Sequence, residues 1–232
     1  MKGKIIVLVL TMLVSASVFA QQTYVTRFDA FAGYTFLDSP RIGLFENGFQ
    51  FQVGMRPKTW YSVGFDYSNS RGDLTLTPDL LPTALQQQLA AQFQQLVAAG
   101  LLPPGYTLAV PAHSLTQTFA LGPQLAYRHW QHLTLFVRPS FGAIRETATP
   151  NPRDPIAAGV VAQLVPGGKK IDWTGFYGFG YGVDVIMTKH LAWRIQGDLV
   201  YDHLFDDILR DGRWTVRFSV GPAFNFGRNI RD

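Results

Sequence analysis

Between Arg27 and Phe226 the chain repeats one pattern eight times, large apolar residues alternating with polar residues or glycine. A period of two places the two kinds on opposite faces of an extended strand. In Arg27–Leu37, Phe28, Ala30, Ala32, Tyr34 and Phe36 share one face, and Asp29, Gly33 and Thr35 the other. In Asp172–Met187, Tyr177, Phe179, Tyr181, Val183 and Val185 alternate with Gly178, Gly180, Gly182 and Asp184. The remaining strands are predicted over Phe49–Pro57, Trp60–Ser70, Thr116–Arg128, Leu133–Glu146, Leu191–His203 and Arg213–Phe226. Phe31, Phe136, Phe176, Ile186 and Val200 break the pattern by pointing inward. Pro123, Pro139 and Pro222 fall inside strands, and proline has no N–H for a ladder, so bulges or local frays are expected there.

Aromatic residues decide which side of these strands meets what. Trp60, Tyr61, Tyr127, Trp130 and Trp193 gather near short connections; Phe36, Phe49, Tyr67, Trp173, Tyr201 and Trp214 gather near long ones. A soluble β-sandwich buries its apolar face and has no use for aromatic girdles at both strand ends. A protein crossing a bilayer with strands needs both girdles. The fold class expected is all-β, an eight-stranded antiparallel up-and-down transmembrane β-barrel. Its short connections, Lys58-Thr59, His129–His132 and Thr188–His190, alternate with long ones, Asp38–Gly48, Arg71–Leu115, Ala148–Ile171 and Leu204–Gly212. Bacterial outer-membrane barrels have short periplasmic turns and long external loops, and an even strand number returns both termini to the periplasm. The expected location is therefore the bacterial outer membrane, with both mature termini periplasmic.

The N-terminus agrees with export. Lys2 and Lys4 precede an apolar run from Ile5 to Val14, and Val18-Phe19-Ala20 suits cleavage after Ala20. Residues 1–20 are expected to be a cleaved signal peptide and 21–232 a single barrel domain. Removing Lys2 and Lys4 leaves 18 basic against 16 acidic residues, with no basic stripe, so nucleic acid is not an expected partner. Cysteine is absent, which removes lipoprotein anchoring, disulfides and thiol chemistry.

The inward faces carry Asp29, Arg56, Asp66, Arg138, Asp184, Arg194, Asp198 and Arg217. Eight strands make a barrel only wide enough to be filled by its own side chains. Those charges are expected to pair with one another as a packed lumen network, since an isolated buried charge is costly. The alternative is a narrow porin-like channel for small solutes or ions. No metal site and no cofactor is expected. His203, beside Asp202, Asp206 and Asp207, is the histidine placed most like a catalytic group, but no neighbouring serine completes a hydrolase. A lipid hydrolase is thus the least favoured reading, and the protein is expected not to be an enzyme. The Asp202, Asp206, Asp207 and Asp211 cluster reads as a solvated acidic rim rather than a hard-cation site.

Two long connections carry elements of their own. Thr83–Ala99 has helix-favouring residues, an apolar stripe of Leu85, Leu89, Phe93, Leu96 and Val97, and Gly100 as a stop. This helix either folds against the other loops or presents a surface for lipid or another protein, so an extracellular partner through loop 71–115 is one expectation. The segment Ala157–Lys170, Val-rich at its centre, reads as a hairpin prolonging the flanking strands or as a mobile loop.

The stretches GYGVDVIMTKHLAWRIQGDLVYDHLF (Gly180–Phe205) and WTVRFSVGPAFNFG (Trp214–Gly227) resemble the last three strands of small opacity-type proteins. The whole plan resembles the OmpA/OmpX-like outer membrane β-barrel family. That resemblance implies partnership with outer-membrane lipids and lipopolysaccharide, and handling by the barrel-assembly machinery during biogenesis. It also implies that Phe224 and Phe226 serve as the assembly signal, here followed by a short polar tail. Its implied role is structural, or surface interaction through external loops.

Overall fold

The computed structural model describes residues 22–103, 105–209 and 212–230. The expected signal segment 1–20 lies outside them. Eight strands run β1 Thr26–Ser39, β2 Leu44–Lys58, β3 Tyr61–Leu76, β4 Val110–Tyr127, β5 Leu133–Pro150, β6 Lys170–Ile186, β7 Leu191–Asp202 and β8 Arg213–Asn229. Each pairs antiparallel with its sequence neighbour, and β8 returns to β1, closing the barrel. Closure leaves no unpaired edge.

Side chains are distributed inside out. Phe141, Tyr181 and Val53 stand 62%, 61% and 56% exposed on the outer face, while Arg194 and Arg217 are 1% and 2% exposed within. Leaving roughly ten such outer residues in water would forfeit about 1 kcal/mol or more each, as much as the whole stability of about 5–15 kcal/mol of an ordinary domain. No helix among the described residues is long and apolar enough to cross a membrane. The strands contain 12 to 18 residues. That exceeds the roughly 9–11 needed to cross a bilayer, so ladders continue past the apolar belt.

Several boundaries differ from the sequence reading. The connection expected over Asp38–Gly48 shrinks to a 3-10 turn at Pro40–Ile42 closed by Gly43, because Leu44–Gly48 pairs on into β2. Likewise β3 and β4 run past the expected ends to Leu76 and Val110, confining the long loop to residues 77–109. The tail after Phe226 is not free either. β8 continues to Asn229 opposite Thr26, with a bulge before Phe28 and Gly227 at φ +92°, which glycine adopts without a Cβ penalty. At the prolines the ladders are interrupted without a change of register. Pairing passes from Leu121↔Phe141 to Leu125↔Val137 around Pro123 and Pro139, and from Phe31↔Ala223 to Tyr34↔Val220 around Pro222. On its other side each proline keeps its partner, at Val63↔Pro123, Pro139↔Phe179 and Trp193↔Pro222. One missing N–H thus disturbs one ladder only.

Helix α1, Thr83–Ala98, lies where the apolar stripe placed it. It ends in a Schellman turn, with Leu101 N–H donating to Leu96 O (2.9 Å), Gly100 N–H to Val97 O (3.0 Å), and Gly100 at φ +70°. The Val-rich third loop is neither hairpin nor irregular: Pro155–Leu164 forms helix α2. Asp154 caps it by accepting from Ile156 N–H (2.9 Å) and Ala157 N–H (2.8 Å), with proline at the first helical position. Leu89 of α1 packs with Ala157 and Val160 of α2 and with Leu81, Leu108 and Val110.

Candidate functional site: the charged interior

Alternation brings one charged residue or more inward from every strand but β4, and the barrel's width lets them meet. Arg194 donates to Asp184 through Nε (2.7 Å) and Nη2 (2.9 Å), to Asp29 (3.2 Å) and to Gln52 (2.7 Å). Asp29 also faces Arg56 at 3.3 Å. Asp66 accepts from Arg138 (3.2 Å) and Arg217 (3.1 Å), and both arginines reach Asp198, at 2.9 Å each. Gln52 joins the halves by donating to Asp66 at 3.2 Å, and Gln50 links Asp66 to Gln196. Four guanidinium groups and four carboxylates form one connected set. Arg194 is also held between the rings of Phe136 (4.9 Å) and Phe31 (5.6 Å), two of the inward exceptions.

Interior glycines make this packing possible. A Cβ at Gly180 would collide with Asp198 Oδ1, and one at Gly54 with Asp29 Oδ1. The void found amid the network, beside Asp29, Gln52 and Arg138, measures about 10 Å³. That is room for no more than about one water molecule.

Toward the end that carries the long loops, the interior becomes apolar. Ile42, Leu44, Leu74, Ile144, Phe176 and Val200 cluster there with Leu204, Phe205 and Leu209 from the β7–β8 connection. A second charged group lies at this end. Arg213 holds Glu146 and Asp202, the latter at 3.0 Å, and Ser114 donates to Glu146 at 3.0 Å. The sequence reading began β2 at Phe49 and so left Glu46 in a loop, and although Glu146 and Arg213 fell on its strands it did not count them among the interior charges. Continuing the alternation of β2 outward by a few residues would have turned Glu46 inward as well.

The acidic rim is corrected at Asp202, which is fully buried against Arg213; Asp206 and Asp207 stand exposed, meeting His203 (3.0 Å) and Lys170, while Asp211 lies outside the described residues. His203 packs edge-on against Tyr201.

On the outer face, Trp60, Tyr127 and Trp193 stand exposed toward one end, with Tyr61 and Trp130 half-buried beside them. Trp173, Trp214, Phe36 and Phe49 stand exposed toward the other, with Tyr67 and Tyr201 half-buried. Phe224 and Phe226 also face outward, and Phe226 stacks on Phe28 at 5.7 Å.

No family model matches the chain, and no curated protein matches it. Among solved structures, neisserial surface protein A is similar with a TM-score of 0.49 and 9% identity, over 86% of this chain and 96% of that one. Ail, the attachment invasion locus protein of Yersinia pestis, gives 0.47 and 10%, over 87% and 99%. The outer membrane protein OprG of Pseudomonas aeruginosa gives 0.44 and 8%, over 90% and 99%. The barrel described above rests on the closed register of the chain itself.

Proposed function

We propose that this chain is an integral protein of a bacterial outer membrane, with a packed polar interior that is structural and a loop layer that makes its external contacts. The observation that carries this reading is the pairing of an exposed apolar belt with a buried, charge-balanced network. Lipid is the solvent that suits such a surface, and mutual neutralisation is what such an interior requires. The short connections 59–60, 128–132 and 187–190 share an end with both described termini, which supports a periplasmic placement for that end. Loops 77–109 and 151–169 then lie outside, against lipopolysaccharide, and α1 in the first is the element offered to an extracellular partner. The outward Phe224 and Phe226 on the last strand suit an assembly signal read by the barrel-assembly machinery.

The packed reading is supported against a channel by the small void within the network and the apolar cluster toward the loop end. The test is reconstitution of the chain from Gln21 onward into planar bilayers, after heat-modifiable mobility has shown that it folds in detergent. A silent bilayer is the expected result. Steady single-channel openings would defeat the packed interior, and a soluble monomer folding in detergent-free buffer would defeat the membrane placement.

A further inference from the structure

The end of the barrel that holds both described termini contains a cavity with an excess of positive charge. Arg128, just past the end of β4, adds a fifth guanidinium to the four that the interior carboxylates balance. Its hydrogen bonds run to neutral acceptors: Thr59 O (2.8 Å), Gln22 Oε1 (3.2 Å) and Thr134 Oγ1 (3.0 Å). Arg56 comes up beneath it, 2% exposed, with its Nε–H lacking any hydrogen-bond partner. Its Nη1 serves Thr26 and Asn225, and its one ion-pair partner, Asp29, is shared with Arg194.

Both arginines line a cavity of about 220 Å³, together with His132 and Lys189, and no Asp or Glu lines it among the described residues. Lys189 stands in the exposed 187–190 connection with its Nζ 5.7 Å above the Tyr24 ring. Since one water occupies about 30 Å³ of liquid, the space accepts a polyatomic ion with part of its hydration. Burial, and next the Arg56 cation, push Arg128 down to about 10 despite the distant pull of Asp184 and Asp29. A bound anion would relieve that repulsion.

We propose that this cavity binds a multivalent oxyanion of the phosphate class, gripped by Arg128 and Arg56 with Lys189 at its entrance. Guanidinium groups present paired N–H donors that match the oxygen spacing of phosphate, and Arg128 and Lys189, beside an Arg56 that shares its one carboxylate with Arg194, match an ion of more than one negative charge. The proposal rests on the closed barrel and not on its placement in a membrane. Phosphate chemistry reaches such a site as the free ion or as a lipid headgroup.

The test is calorimetric titration of the detergent-folded protein with inorganic phosphate at constant ionic strength, and in parallel with dihexanoyl phosphatidic acid. Saturable binding of one ion per chain is expected, displaced by sulfate and unaffected by chloride. Tighter binding of the lipid would identify a headgroup as the source, and equal or weaker binding the free ion; either upholds the site. Arg128→Gln should weaken binding at least about tenfold, the worth of one charge-assisted hydrogen bond. Lys189→Gln, in an exposed turn, should weaken it several-fold and leave heat-modifiable mobility unchanged. Absence of saturable binding, or affinity unchanged in both variants, would overturn the proposal.

Discussion

Asp184 and Arg194 face each other across the β6–β7 ladder, and Arg194 grips both carboxylate oxygens, at 2.7 and 2.9 Å. Register alone puts them side by side, so the ion pair needs no long reach. Replacing Arg194 by methionine leaves Asp184 buried without a cation, at a cost of about 3–5 kcal/mol. Adding Asp184→Asn should restore much of that loss, because Asp29 keeps Arg56 at 3.3 Å. Urea midpoints of unfolding from liposomes measure both. A single variant as stable as the parent would show that the pair contributes nothing.

The girdle aromatics make a second prediction. Variants retaining one tryptophan each, at 60, 130, 193, 173 or 214, should be quenched more by lipids brominated near the carbonyl than at the chain terminus. That follows from the preference of indole for the membrane–water interface. Equal or inverted quenching for Trp173 and Trp214 together would move the loop-side boundary of the belt.

Asp154 supplies the pH dependence. Its carboxyl is held below the ordinary 3.8, chiefly by the Ala157 N–H against the upward push of burial, with the Tyr106 hydroxyl and Ile156 N–H adding to the effect. A carboxylate with a lowered folded value stabilises while ionised, so its contribution is complete above the ordinary value and fades as pH falls through the lowered one. The first turn of α2 should therefore loosen in acid. Amide exchange at Ile156 and Ala157, corrected for intrinsic rates and compared at about pH 6 and about pH 3, should show protection falling. Asp154→Asn should lose that pH dependence; unchanged protection in the parent would remove the cap from the account.

Period-two alternation carried the barrel in the sequence, because a strand with lipid outside and charge inside advertises itself at every residue. It failed near the loop end for a physical reason. There Leu44, Leu74 and Ile144 turn inward, so the interior itself becomes apolar and the contrast between faces fades. Glu46, Glu146 and Arg213 lay in that stretch, and their grouping went unseen. Helix α2 was hidden by its valines, which favour strands, although Asp154-Pro155 is a helix-start signal readable in the chain. The eight interior charges were visible one by one. Which arginine would meet which aspartate was not, since partners such as Arg217 and Asp66 come together only through the curvature of the closed sheet. The excess of Arg128 was invisible for the same reason: it is defined by what the other arginines have already neutralised.

Because Asp29, Asp66 and Arg217 come from β1, β3 and β8, their bonds join staves far apart in the chain. A half-built wall would leave these charges without the partners they have in the closed form. The final seam between first and last staves thus also locks the interior.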